Sequence, residues 1–489
     1  MKISYNWLQS YFEEKLPEPE KLAERITFSF AEIEGVEKHG EDTILDIKIL
    51  PDRACYTLSH RGVAREVSAI LGIKMKEMNW PQPSVVPVRA LTVSVEEPTV
   101  VPRYTARVIE GINPKASPWT KEHLEAIGQR SIGTVVDGAN IVMFDMGQPL
   151  HAFDADKIEG GIVVRFARQG EKITTLDNKE VTLDESVLII ADEKDPLAIA
   201  GIKGGKKAEV TGATQNLILE SAIFDASLVR KTSERLGIRT DASKRFENKL
   251  AVESALLGMK DFTAYLFETD KAIKVGEIVD VLNAEEKSTV IEITAEFICQ
   301  RLGVEISKEA IKDILLKLSI VVDDSGDVWK LTPPARRLDL VIPEDMVEEV
   351  GRILGYDAIP ATLPPTTKGS PEIPKSFYYE GVIRAFLVSK GFSEVMTSSF
   401  FEQGSVAIEK PLAEDKKYAR ENLRGSFEKA LIMNARNAPL FGKEETLIFE
   451  IGTIFTKGGE KTALAIGVAG PKKKIAGVLE GTIKDVSER

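Results

Sequence analysis

Five short runs of the sequence carry side chains whose types and spacing could do chemistry. In Gly147-Gln148-Pro149-Leu150-His151, glycine and proline flank a glutamine. Such a run fixes a turn that aims His151, a group that titrates near neutral pH and can position or deprotonate water. A histidine satisfied inside a loop would have the same sequence. Just upstream, Val135-Val136-Asp137-Gly138-Ala139-Asn140 leads into that run. The second run, Pro196-Leu197-Ala198-Ile199-Ala200-Gly201-Ile202-Lys203-Gly204-Gly205, clusters glycines that let a backbone approach a ligand with its amides free to donate. It is not a phosphate-binding P-loop, because Lys206 is followed by Lys207 where Ser or Thr is needed. A tight hairpin turn between strands is the plainer reading of the same residues. Third, Glu220 is a lone acid among Leu217, Ile218, Ile223 and Phe224, able to take an ammonium or a hydroxyl. A glutamate on an edge strand would read the same.

The remaining two runs are charged. Between Arg230 and Lys249, seven basic residues (Arg230, Lys231, Arg235, Arg239, Lys244, Arg245, Lys249) face three acids, Glu234, Asp241 and Glu247. That is a stripe suited to phosphates, or a solvated helix face with ion pairs. Finally, Pro343-Glu344-Asp345 opens a helix on which Asp345, Glu348 and Glu349 are spaced i, i+3 and i+4, with Asp339 just before it. Carboxylates at that spacing repel unless a cation compensates, and hard oxygens suit Mg²⁺. First-turn acids favoured by the helix dipole are an even alternative.

The elements that must position these groups are legible in outline. A chain of 489 residues is too long for one core and implies three or four domains. Proline-rich stretches at 80–102 and 360–374 read as linkers or extended segments. Val63, Val67, Ile70 and Leu71 form one helical stripe between a capping Ser59 and a terminating Gly72. Leu91–Val95, Tyr104–Ile109 and Ile162–Phe166 are β-branched and strand-like, whereas helices follow from about Ile291, one of them capped by Ser307. The formal charge of −12 argues against a surface that coats nucleic acid everywhere, while leaving room for a local basic patch. Two cysteines exclude a disulfide scaffold, and two cysteines with four scattered histidines lack the spacing of a zinc site. No run approaches a membrane span and the N-terminus lacks a signal-peptide pattern, so a cytoplasmic protein is expected.

In order along the chain, several of these runs resemble the β subunit of bacterial-type phenylalanine–tRNA ligase. Met1-Lys-Ile-Ser-Tyr-Asn-Trp-Leu8, Ser59-His-Arg-Gly-Val-Ala-Arg-Glu66, Pro102-Arg-Tyr-Thr-Ala-Arg107 and the Asn140–Asp154 loop carry the likeness. So do Ile238–Phe246, Leu338 through Asp357, Gly391–Val395 and Leu447–Gly452. The resemblance covers roughly residues 1–456. It implies an α+β multidomain fold: an N-terminal α/β domain (1–90), a central α/β editing module (91–285), a small helical, winged-helix-like domain (286–362) and a class II synthetase-like antiparallel sheet domain (375–489). It further implies an α-subunit partner in an (αβ)₂ heterotetramer, tRNA(Phe), and ATP as co-substrate at α. The last region lacks the Gly-x-Gly-x-Gly-x-x-Arg pattern of a class II ATP site, which places aminoacylation on α.

Carried over by position, the resemblance implies an editing pocket that hydrolyses Tyr-tRNA(Phe). Its catalytic candidates are His151, Asn140 and Glu220, and its lining Pro149, Ala200, Gly201 and Gly204. Arg230, Lys231, Arg235, Arg239, Lys244 and Arg245 become tRNA-contact candidates. Asp339, Asp345, Glu348 and Glu349 match a Mg²⁺ position shared with α. Two domains usual in the family are expected to be missing: an inserted oligonucleotide-binding domain, for which Gly35–Asp46 leaves no room, and a C-terminal ferredoxin-like anticodon-binding domain, with nothing recognised in 457–489. A free-standing deacylase and a non-catalytic scaffold are the competing readings.

Overall fold

The computed structural model describes every residue except 79, 114–116, 285–288, 366–368, 370–371 and 489. The expected boundary at 285 and part of the second proline-rich stretch lie outside the described residues. The chain forms two compact units, Met1–Thr362 and Leu363–Arg489.

At the start of the first unit, a three-stranded antiparallel sheet runs in the order Lys2–Ser4, Asp42–Ile47, Ile33–His39. The last two strands form a hairpin with His39 opposite Asp42, turned through Gly40 at φ 61°. A left-handed glycine is what so tight a connection needs, and nothing is inserted there. Helix His60–Leu71 is capped by Ser59, whose hydroxyl accepts from the Gly62 amide, and ends at left-handed Gly72. Its apolar stripe of Val63, Ala64 and Val67 packs with Trp7, Leu8 and Ile3, and also with Ile141, Met143 and Phe144 of helix Thr134–Met146. The N-terminal part thus shares one core with the region that follows.

That central region is layered. A four-stranded antiparallel sheet has the order Lys274–Leu282, Arg103–Glu110, Asn216–Ile223, Leu150–Asp154. Period-two alternation sends Ile218, Ala222, Tyr104, Ala106 and Phe153 to one face, against a five-stranded sheet whose central strands are Ile162–Phe166 and Leu188–Ala191. Leu217, Leu219 and Ile109 point the other way, onto helices Thr134–Met146 and Val252–Thr269. Covered on both faces, Arg103–Glu110 is buried at nearly every position. The first proline-rich stretch is stitched alongside: the Val86 amide donates to Val275 O at 2.9 Å, and Val93–Val95 pairs in parallel with Ile162–Val164.

Residues 291–354 add a three-stranded antiparallel sheet (Ile291–Ile293, Trp329–Thr332, Val321–Asp323) packed with helices Ala295–Leu302, Lys308–Lys317 and Pro343–Leu354. In the second unit, Thr446–Thr456 pairs antiparallel with Gly459–Ala469 and in parallel with Ser393–Glu394. Phe386, Leu387, Phe392 and Phe449 form its core. Strand Gly459–Ala469 and helix Lys472–Ser487 give regular structure to the stretch that the sequence left unassigned.

Candidate active site

Strand Asn216–Ile223 is interior, with Leu150–Asp154 on one side and Arg103–Glu110 on the other. This corrects the edge-strand alternative for Glu220. The register sets Glu220 opposite His151 on one neighbour and opposite Ala106 on the other. Directly opposed residues share a face with their Cβ atoms about 5 Å apart, so a carboxyl and an imidazole meet in the apolar layer between the two sheets. Together they line a cavity of about 70 Å³ with Pro149, Gly201, Gly204 and Phe246.

The two glycines are required by space and by backbone. Gly201 turns the Pro196–Ile199/Lys203–Gly204 hairpin at φ 69°. A Cβ on Gly204 would stand 2.5 Å from His151 Cε1 and 2.9 Å from its Nε2. The glycine cluster is therefore both a hairpin turn and the wall of the cavity. Thr240 Oγ1 donates to Ile202 O at 2.9 Å and ties this wall to the short helix Asp241–Phe246.

Electrostatically the pair is unusual. Burial pushes the Glu220 carboxyl up to about 8 and pulls the His151 imidazole down to about 4. At neutral pH both are predominantly uncharged. Among the described residues neither makes a hydrogen bond; His151 only meets the Phe153 ring edge-on, with centroids 4.6 Å apart. Tyr104 Oη, on the same face, is also buried without a partner. Buried polar groups are nearly always paired, so unspent ones in an apolar cavity make it a candidate binding site.

Asn140 lies on helix Thr134–Met146, on the far side of the four-stranded sheet, and does not line the cavity. Ala200 is packed in the core behind it. The sequence reading missed Ile190, Phe224, Ala242 and Phe246, whose apolar side chains carry no local signal of a site. The basic stripe divides. Arg230, Lys231 and Arg235 are exposed on helix Ala226–Leu236, Arg239 in the loop that follows it and Lys244 on helix Asp241–Phe246, beside the cavity. Arg235 pairs with Asp184 and Arg239 with Glu247. Arg245 is a correction: it is 2% exposed, donates to Leu58 O and Asp241 O, and stacks on Phe144. It is a packing residue.

The four acids near Pro343 do not fit a cation. Glu349 is fully buried and accepts from Arg337 at 2.8 Å and from Arg352 at 2.6 and 2.8 Å. Burial alone would raise its pKa, but the hydrogen bonds and charges of Arg352, then Arg337, hold it well below the carboxylate range. Asp339 takes the other side of Arg337 at 2.6 Å, and Glu348 pairs with Arg53 at 2.5 Å. Asp345 accepts from the Val341 and Ile342 amides, capping its own helix. The shared face read from i, i+3, i+4 spacing is therefore dispersed, and no three acidic, His or Cys side chains converge among the described residues. Arginines supply the compensating charge.

Three family models match in order. The B3/4 domain covers residues 100–271, the tRNA synthetase B5 domain 291–356, and the phenylalanyl tRNA synthetase beta chain CLM domain 359–483. The phenylalanine–tRNA ligase β subunit of Methylococcus capsulatus is 36% identical over 368 residues, 74% of this chain and 46% of that one. That of Moorella thermoacetica is 35% identical over 462 residues, 90% of this chain and 56% of that one. This chain belongs to the phenylalanine–tRNA ligase β-subunit family. It spans about half the length of the curated relatives it matches. A crystal structure of an N-terminal fragment of the Pyrococcus horikoshii phenylalanyl-tRNA synthetase β subunit overlaps 73% of this chain and 99% of its own at 18% identity, with a TM-score of 0.43. The cavity falls wholly within the B3/4 match. The CLM match runs through 457–483, so the likeness extends beyond the point where the sequence motifs stop.

Proposed function

We propose that this chain acts in the cytoplasm as the β subunit of a phenylalanine–tRNA ligase, and that its cavity clears tyrosine misattached to tRNA(Phe). In this reading an α partner joins phenylalanine to tRNA with ATP, in an (αβ)₂ assembly. The observation that carries the editing role is the Glu220–His151 pair, uncharged and unspent in an apolar pocket. Tyrosine differs from phenylalanine by one hydroxyl, which both donates and accepts. A neutral carboxyl does the same, and His151 beside it presents a neutral nitrogen to the same group. Phenylalanine would leave both unpaired, and sites of this kind reject the analogue lacking the hydroxyl by roughly 10⁴-fold. Water then adds to the ester carbonyl carbon, the bond to the ribose oxygen breaks, and tyrosine leaves.

Two further features support the assignment. Exposed Arg230, Lys231 and Lys244, without carboxylate partners among the described residues, flank the cavity where a tRNA end would arrive. The second unit exposes Phe377, Met396, Leu412, Leu440 and Phe441, a set of large apolar side chains suited to a partner surface. A cavity of about 70 Å³ is half the roughly 150 Å³ that accepts benzene. Entry of the phenol ring therefore requires the 200–204 wall to yield. The Mg²⁺ reading of Asp339, Asp345, Glu348 and Glu349 is not carried forward, and no step is drawn through it.

The test is hydrolysis of Tyr-tRNA(Phe) by the αβ complex. Glu220→Ala and His151→Ala should each slow it at least tenfold and leave phenylalanine charging intact, while Glu220→Gln, which keeps a neutral donor and acceptor, should retain more. Unchanged hydrolysis in both alanine variants would overturn the editing role.

A further inference from the structure

Away from the Glu220–His151 cavity, two arginines line one cavity and neither guanidinium is paired with an acid among the described residues. Arg65 is on helix His60–Leu71 and Arg336 in the loop before Asp339; both are half-buried. Both line a cavity of about 230 Å³ shared with Tyr56, Ser68, Lys317 and Ser319, and both also border a second cavity of about 200 Å³. Neither guanidinium forms a hydrogen bond or ion pair among the described residues. The neighbouring acids are spent elsewhere. Glu66 accepts from Arg352 at 2.7 Å and from Tyr56 at 2.7 Å. Asp145 is taken by Arg61 and Tyr11, Asp261 by Arg61 at 2.8 Å, and Asp339 by Arg337. Glu253 lines the second cavity and pairs with neither arginine.

Burial, then the Arg336 and Arg61 charges, pull the Arg65 guanidinium down to about 9, and burial followed by Arg337 lowers that of Arg336. Two like charges brought together out of water are costly unless an anion joins them. In the same region Arg53, Arg61, Arg337 and Arg352 each have carboxylates. A guanidinium fork matches a tetrahedral oxyanion bidentately; the Ser319 hydroxyl at the cavity adds a donor, whereas Lys317 is paired with Asp313 at 2.7 Å and Ser68 Oγ donates to Ile73 O at 2.6 Å. We infer that the cavity between Arg65 and Arg336 is a phosphate-binding site, independent of the editing pocket.

The test titrates inorganic phosphate into the full chain, with chloride holding ionic strength constant. Wild type should show a saturable rise in unfolding midpoint of roughly 2–4 °C. Arg336→Gln should bind phosphate at least about tenfold more weakly, yet unfold no lower than wild type in phosphate-free buffer, because it relieves repulsion. Arg336→Lys should fall between. Arg89→Gln, an arginine elsewhere, should bind as wild type does. A short single-stranded RNA that displaces phosphate would identify a phosphodiester as the source; a free anion is identified if it does not. No saturable shift in wild type, an equal shift with acetate, or undiminished binding in Arg336→Gln would each overturn the assignment.

Discussion

The Glu220–His151 cavity and the arginine–acid cluster around Glu349 are both buried and both polar, yet they are built on opposite terms. Around Glu349 every charge is answered: Arg337 and Arg352 hydrogen-bond it, Arg53 sits at 3.0 Å, and Arg352 reaches on to Glu66. Those residues come from segments nearly three hundred positions apart, so the cluster fastens the 343–354 helix to the N-terminal helices. In the cavity, Glu220 and His151 are answered by nothing among the described residues. The same contrast recurs between two histidines. His60, also held near pKa 4 by burial, accepts from the Ser4 amide, bonds Phe144 O and stacks on Trp7 at 3.9 Å. His151 has the same shift and no hydrogen bond. Depressed basicity reports burial in both; spent or unspent hydrogen bonding separates a joint from a site.

The strongest way to break this comparison is Glu349→Ala. Removing the shared acid leaves three buried guanidiniums short of a partner, and a loss of about 3–5 kcal/mol is expected in urea unfolding of the chain. A loss under about 1 kcal/mol would mean the cluster is not a fastening.

Next is pH. Glu220 has a native pKa near 8 against an ordinary 4.5, so between those values the native state holds a proton that the unfolded state has released. That contribution is complete below about 4.5 and declines as pH rises towards 8. From pH 5 to pH 7, Glu220→Gln should therefore gain about 3 kcal/mol on wild type. His60 and His151, with lowered pKa values, act oppositely, losing stability as pH falls from about 6.5 towards 4. They cancel in the difference between the two proteins. A flat difference would show that Glu220 is charged when folded.

A smaller effect should separate the histidines. His60→Phe strands the Ser4 amide and the Phe144 carbonyl and should cost about 1–3 kcal/mol. His151→Phe strands nothing and should cost less, while abolishing Tyr-tRNA hydrolysis. Equal costs in denaturant would erase the distinction. Smallest of all, Asn140→Ala should leave hydrolysis by the αβ complex unchanged, since Asn140 is outside the cavity; a marked loss would require a different substrate path.

How much of this was readable in advance follows from the range of the interactions. Ser59, Gly72 and Ser307 announced their helix ends because capping is settled within four residues. The Gly201 turn and the missing insertion near Gly40 were likewise local. Glu220 and His151 could be named from their runs, and the family likeness linked them. Their opposition, though, depends on strands 69 positions apart adopting one register, which slips every side chain to the other face if it shifts by one. The same is true of the acids near Pro343. Spacing alone put three carboxylates on one face and suggested a cation. The partners that decided otherwise, Arg53 and Arg337, come from outside the helix, and Asp345 turned to its own backbone. Arg245 read as surface charge until the fold buried it over Phe144. The sequence by itself determined the family, the element ends and the chemistry on offer. Only the tertiary structure decided which polar groups are spent on one another and which are left for a ligand, because that depends on what packs opposite each side chain.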